Sequence, residues 1–159
     1  MSITRGATAL FVGVLGAVLG IQPAFASGPP QAASGAVVIT SRVPTSVMQA
    51  DGNTIIEGTA TAVISGTFTG TNATHFRLIM HPDGSFIEHE SGVFTGQANG
   101  CGTGTAPFSV VLQGTAGAAP TGSVASVDQA DNTANVVFEL KLTGTPVGAV
   151  YTGIYHCTS

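Results

Sequence analysis

Charged residues are scarce in this chain, and their scarcity excludes several classes of protein. Only 8% of the 159 residues are charged, with four Lys or Arg and eight Asp or Glu, and Trp is absent. An ordinary soluble domain has about 25% charged residues. So few cations exclude a basic nucleic-acid-binding surface, and the shortage of charge excludes a coiled coil and a charge-rich disordered tail. Nucleic acid is therefore not an expected partner.

Cysteine is almost as scarce, because the chain has only Cys101 and Cys157. They do not form a Cys-x-x-Cys motif, which excludes a redox pair of that kind. Outside the cell, the simplest state of two cysteines is a disulfide. This one would close a loop of about 57 residues and stabilise the fold by ~4 kcal/mol on the chain-entropy model. We therefore predict a Cys101–Cys157 disulfide.

The first 26 residues have the layout of a secretory signal peptide. Arg5 is followed by an uncharged apolar run at residues 6–21, and Ala24-Phe25-Ala26 matches the Ala-x-Ala pattern that precedes cleavage. The run is shorter than the roughly 20 apolar residues that span a bilayer. We predict secretion, with cleavage between Ala26 and Ser27 and no membrane span afterwards. Loss of Arg5 takes the formal net charge from −4 to −5.

The rest of the chain has the pattern of β-strands. Between residues 54 and 70, apolar or small residues alternate with threonines, which is a period of two. Breaks rich in Gly, Pro, Asn and Asp separate seven or eight such segments, and none has a helical period. The sequence therefore predicts an all-β fold, a closed antiparallel barrel of about eight strands, with a β-sandwich as the alternative. Residues 27–46 are predicted to form a flexible leader that could include an edge strand, and residues 47–159 are predicted to form the barrel domain.

The strongest turn signal is His81-Pro82-Asp83-Gly84-Ser85. Proline presets the first central position of a type I turn, and glycine accepts the left-handed conformation that follows. This favours a three-residue hairpin loop with a bulge. In that register Glu90 faces Phe76, and Glu88 lies on the same apolar face. With a two-residue loop, Glu90 would instead face Arg77 and form a solvated ion pair.

Several motifs also resemble a known family in their order and spacing. That family comprises small, mostly bacterial proteins of unknown function related to the allene oxide cyclase barrel, and the resemblance covers about residues 47–157. It implies a closed barrel of roughly eight antiparallel strands, similar in outline to the lipocalins, whose lumen can hold an apolar molecule or host a cyclisation. The family supplies no catalytic residues to carry over. The motifs are Val47 to Ile55, Ser65 to Thr71, Phe76-Arg77-Leu78, His81 to Ser85, Gly92 to Gly96 and Tyr151 to Tyr155.

Two carboxylates are weak candidates for acid–base chemistry. Glu88 and Glu90 lie two residues apart on one predicted strand, so their side chains share a face about 6–7 Å apart. In a dry lumen one pKa would rise, and the pair could donate and accept protons. The simpler expectation is that both carboxylates are exposed. The catalytic residues, if the protein has any, therefore remain unidentified.

The other candidate residues indicate a ligand rather than a metal. The histidines do not supply three converging ligands, so we predict no metal site and no cofactor. Tyr151 and Tyr155 lie four apart on a strand and share a face, so they could stack on a ligand at the barrel mouth. The residues predicted to contact a lumen ligand are Phe68, Phe76, Phe94, Tyr151 and Tyr155.

Three functional hypotheses follow. The first is a secreted, non-enzymatic barrel that holds a small apolar ligand. The second is a cyclase or isomerase in which a shaped pocket holds a reactive conformer. The third is a structural or envelope interaction protein, which the threonine-rich outer faces would suit. An open pocket of at least ~300 Å³ would favour the first two, and a packed lumen the third. The sequence leaves the ligand, the enzymatic activity and the oligomeric state undetermined.

Overall fold

The chain folds into a closed barrel of eight antiparallel strands. The computed structural model describes residues 28–126 and 129–158, so the predicted signal peptide lies outside the described residues. Each strand pairs with its neighbours in sequence, and the last strand pairs with the first, which confirms the predicted fold class. No described residue belongs to a helix long and apolar enough to cross a membrane. The strands are β1 (Gln31–Ala50), β2 (Asn53–Gly66), β3 (Phe68–Met80), β4 (Ser85–Ala98), β5 (Gly102–Thr115), β6 (Thr121–Ser126), β7 (Val136–Thr145) and β8 (Gly148–Cys157).

Strand β1 occupies most of the segment that the sequence assigned to a flexible leader. It begins at Gln31, pairs with β2, and in its first half also pairs with β8. Small residues are needed here because the strands approach closely: a Cβ on Gly35 would lie 2.3 Å from the Tyr151 hydroxyl. The leader prediction for residues 27–46 is therefore corrected, and the barrel starts at Gln31 rather than at residue 47.

The upper part of β1 extends beyond β8. Pairing with β8 ends at Val38, and residues 39–50 pair with β2 alone, apart from a hydrogen bond of 2.9 Å from the Ile39 N–H to the Val147 carbonyl. No residue of β2 pairs in register with Thr40 or Thr45, so the register shifts at both positions, although the hydroxyl of each donates to a carbonyl of β2. The barrel wall is consequently incomplete beside this end of β1.

An aromatic cluster fills the lower end of the lumen, where β2 turns into β3. Phe68 lies at its centre, with its ring centroid 5.1 Å from that of Phe138 and 5.7–5.9 Å from those of the other three rings. All the members are at most 5% exposed. The aromatic cluster consists of Phe68, Phe94, Phe138, Tyr151 and Tyr155.

The predicted disulfide is present. Cys101 and Cys157 are joined with a Cα–Cα distance of 4.9 Å. The bond connects the turn between β4 and β5 to the end of β8, so it links parts of the barrel wall that are not adjacent in the sheet. A disulfide suits an oxidising compartment.

The hairpin of β3 and β4 has the register that the three-residue loop predicts. The His81 N–H donates to the Ser85 carbonyl at 2.8 Å, and the Gly84 N–H donates to the His81 carbonyl at 3.0 Å. Gly84 has a φ of 81°, the left-handed conformation that the loop requires. Glu90 therefore pairs with Phe76, and its side chain points into the lumen.

Candidate functional site

Three charged side chains lie together inside the barrel: Arg42 from β1, and Glu88 and Glu90 from β4. Arg42 Nη2 donates to Glu88 Oε1 at 2.5 Å, and Arg42 Nη1 lies 3.9 Å from Glu90 Oε1. The side chains of Glu88 and Glu90 are only 6% and 14% exposed, against 32% for Arg42. The expectation of two exposed carboxylates is therefore wrong, because the hairpin register turns both of them inward. We call these three residues the charged cluster.

Arg42 is held over the ring of Phe76, and no sequence motif marks its role. The guanidinium carbon lies 3.9 Å from the ring centroid, which is a cation–π contact. A Cβ on Gly58 would lie 2.6 Å from the Phe76 ring, so a glycine on β2 is what lets the ring occupy this position. Phe76 thus supports the guanidinium and does not line the lumen cavity described below.

Burial is the main cause of a raised pKa at Glu90, from 4.5 to about 7. Glu88 raises it further through a hydrogen bond and its negative charge, while the charge of Arg42 and a hydrogen bond with Thr74 act in the opposite direction. Arg42 is too far from Glu90, and too closely engaged with Glu88, to offset burial. Glu90 is consequently about half protonated at neutral pH.

A cavity of about 120 Å³ lies in the lumen between the charged cluster and the aromatic cluster. Of the residues predicted to contact a ligand, Phe68, Phe94 and Tyr151 line this cavity, whereas Phe76 and Tyr155 do not. Apolar residues of β5, β6 and β7 line much of the rest. They are Phe108, Val110, Leu112, Val124, Phe138, Leu140 and Leu142.

One wall of the cavity is polar. Asn72 and Thr74 from β3 and Glu90 from β4 line it. The side chain of Asn72 points into the lumen, because Asn72 pairs with Ala62 and Phe94, both of which are buried. Its amide makes no hydrogen bond with any residue in the two described ranges. Sequence reasoning missed this residue, which stands in a run of Thr, Gly and Ala.

The tyrosine hydroxyls serve the fold. The Tyr151 hydroxyl donates to the Ser65 carbonyl at 3.0 Å and accepts from the Phe68 N–H at 3.1 Å. Burial raises the pKa of Tyr151. The Tyr155 hydroxyl lies 2.9 Å from the Asn99 carbonyl oxygen. The ring of Tyr151 is thus the part of either tyrosine that a molecule in the cavity can contact.

No histidine of the described residues lines the lumen cavity. His75 and His89 are on the outer faces of β3 and β4, and both are exposed. His81 Nδ1 lies 2.8 Å from Asn53 Oδ1 at the top of the barrel, and His156 is near the end of β8. Within the part of the chain that the structure describes, no group of three or more His, Cys, Asp or Glu could hold a metal ion.

Comparison with known proteins identifies a shared fold. The chain is similar to the crystal structure of a protein of unknown function from the DUF3224 family of Shewanella oneidensis, with a TM-score of 0.65 and 12% sequence identity. The match covers 82% of this chain and 98% of that one. No family model and no curated protein matches. The relation to the allene oxide cyclase barrel stays a prediction, and the comparison shows a fold that this chain shares with a protein of unknown function.

Proposed function

We propose that this protein is an exported barrel that holds one small, largely apolar molecule in its lumen. The observation that carries the proposal is the cavity of about 120 Å³, which has mainly apolar walls and one polar side. An engineered cavity of about 150 Å³ in another protein, lined by Leu, Ile and Phe, binds benzene. The cavity falls short of the ~300 Å³ set above as the criterion for an open pocket, which is the size that a drug-sized ligand needs. The lumen is not packed solid either, so the criterion excludes a large ligand and leaves room for a small one. Its occupant is therefore the size of a single ring or a short chain.

The seam between β1 and β8 supplies an entrance. Val37, Ile39, Gly148 and Ala149 all line the cavity. Ile39 is 42% exposed, and pairing between the two strands ends at the preceding residue, so the cavity reaches the surface here. A small molecule can therefore enter or leave the cavity here without separating two strands that are hydrogen-bonded along their whole length.

Export is part of the proposal. The disulfide suits an oxidising compartment. Residues 1–26 have the layout of a signal peptide, and they lie outside the described residues. The N-terminal residue of protein recovered from the culture medium tests this part, and Ser27 is the expected result.

Benzene binding tests the main proposal. In NMR titrations of the secreted protein, benzene should bind one to one, with chemical-shift changes confined to residues that line the cavity. Leu140→Phe, which places a larger side chain in the cavity, should abolish the changes, whereas Val93→Phe on the exposed outer face of β4 should preserve them. Circular dichroism establishes that both variants fold. The absence of lumen shifts at saturating benzene would refute the proposal.

One observation favours a second function, acid–base catalysis. Glu90 lines the cavity, and its pKa of about 7 lets one carboxyl group donate or accept a proton near neutral pH. A cyclase or isomerase that holds a reactive conformer in a shaped pocket needs few other charged groups. Glu90 is therefore the residue to which we assign the proton transfer, with Glu88 as its partner.

The simplest reaction of this kind is proton exchange next to a carbonyl group. The secreted protein should accelerate hydrogen–deuterium exchange at the α-carbons of cyclopentanone in D₂O, measured by proton NMR. Glu90→Gln should remove the acceleration and still bind benzene. A rate equal to that of buffer, in a protein that binds cyclopentanone, would exclude this chemistry.

A further inference from the structure

The polar wall of the cavity contains an amide without a partner. Asn72 is half-buried, points into the lumen and makes no hydrogen bond with any residue that the structure describes. No buried side-chain nitrogen or oxygen atom in the described residues lacks a hydrogen-bond partner, so the amide atoms of Asn72 are open to the cavity and not sealed inside the protein. A ligand in the cavity can therefore take the place of solvent at this amide. The amide of Asn72 can both donate and accept, so it marks the place where the polar group of a ligand would lie.

The neighbouring charges disfavour an anion. Arg42 is the cation that lines the cavity, but its guanidinium is already bonded to Glu88 and stacked on Phe76. Glu88 takes up most of this guanidinium, so the charge of Glu90, which about half of the molecules carry at neutral pH, is poorly compensated. A carboxylate that entered the cavity would meet uncompensated negative charge where water screens it poorly. An uncharged carbonyl or hydroxyl group meets no such repulsion.

The arrangement of the walls also fits a molecule with one polar end. Asn72 and Thr74 lie two apart on β3, so their side chains are about 7 Å from each other along the wall. The facing residues on β7, Leu140 and Leu142, are apolar. A ring or short chain with its polar group towards Asn72 would place the rest of its surface against these leucines.

Building on the function proposed above, we propose that the lumen selects small uncharged molecules that carry a carbonyl or hydroxyl group, and that Asn72 recognises that group. The Asn72 N–H donates to a carbonyl oxygen, or its carbonyl oxygen accepts from a hydroxyl. The selection distinguishes two molecules of the same shape when only one is charged.

Benzamide and benzoate form such a pair, because they have the same shape and differ in charge. By NMR titration at pH 7.5, the secreted protein should bind benzamide at least tenfold more tightly than benzoate. Asn72→Leu, which keeps the side-chain size, should weaken benzamide about three- to tenfold, the effect of one hydrogen bond. Benzene affinity should change less than twofold. Thr71→Val, the adjacent position on the exposed outer face of β3, is the control and should change none of the three affinities.

The outcomes separate this inference from the function on which it rests. If benzene does not bind, the proposed function fails and the inference fails with it. If benzene binds but benzoate equals or exceeds benzamide, or if neither of the two binds, the lumen does not select neutral polar molecules. If Asn72→Leu weakens benzene and benzamide equally, Asn72 acts through packing and recognises nothing.

Discussion

Replacement of Arg42 by Met should leave a carboxylate inside the barrel without its cation. The Glu88 side chain is 6% exposed and accepts a hydrogen bond from Arg42. Breaking a buried ion pair by removing one partner costs about 3–5 kcal/mol. Arg42 is 32% exposed, so solvent screens the pair in part and the cost should lie at or below the lower end of that range. We expect Arg42→Met to lower the free energy of unfolding by about 2–3 kcal/mol.

Replacement of the other partner of the ion pair, Glu88, should cost less. In Glu88→Gln the amide oxygen can still accept from Arg42, and the partly exposed guanidinium can reach water. We expect a loss of about 1 kcal/mol, in the range of a single hydrogen bond. In the double variant residue 88 is neutral, so no buried carboxylate is left without its cation. The double variant should therefore be more stable than Arg42→Met alone by about 1–2 kcal/mol.

Urea denaturation at pH 8, followed by circular dichroism, measures all three variants against the wild type. The dependence of the unfolding free energy on urea should be the same throughout, so that midpoints can be compared. The reasoning is refuted if Glu88→Gln costs as much as Arg42→Met. It is equally refuted if the double variant is no more stable than Arg42→Met.

Three further predictions concern the proton on Glu90, the β1–β8 seam and the disulfide. Because the folded protein keeps a proton that the unfolded chain loses above pH 4.5, the free energy of unfolding should fall by roughly 3 kcal/mol between pH 4.5 and about 7. Glu90→Gln should flatten that part of the profile, and an unchanged profile would contradict the assignment. Gly35→Ala places a Cβ 2.0 Å from a carbonyl oxygen and should cost about 3 kcal/mol or more in thermal melts, whereas Gly28→Ala, with nothing within 4 Å, should be neutral. Replacement of Cys101 and Cys157 by Ala should cost about 4 kcal/mol in urea, and a loss near zero would show that the cross-link does not restrain the unfolded chain.

The fold class could be predicted because it depends on local sequence patterns. The period-two alternation placed the strands, and the turn at residues 81–85 set the register that determines where Glu88 and Glu90 point. The extent of strand β1 could not be recognised, because only a possible edge strand was predicted within residues 27–46. The small residues at its start and its proline, Pro44, are typical of a flexible segment, but in the barrel small residues such as Gly35 are needed where two strands approach closely. Composition alone does not distinguish a flexible segment from a strand whose small residues allow close packing against its neighbours.

The candidate site could be predicted only in part. The shared face of the two glutamates follows from their spacing on one strand. Their partner Arg42 lies 46 residues before Glu88 in the chain, in the segment that was predicted to be a flexible leader. A single unpaired residue in β1, Thr40, decides which side of the sheet Arg42 faces, because one inserted residue reverses the alternation. Such a shift depends on pairing with β2, and no local pattern reveals it.

The uncovered end of β1 also bears on how this protein avoids aggregation. A regular, exposed strand edge presents a row of backbone N–H and C=O groups to which a strand of another chain can add. Here Thr40 and Thr45 interrupt the regular ladder, and Pro44 between them has no N–H to donate. Interruptions and a proline of this kind are known protections of sheet edges. The extra residue that brings Arg42 into the lumen, Thr40, therefore also helps to make this edge a poor template for cross-β assembly.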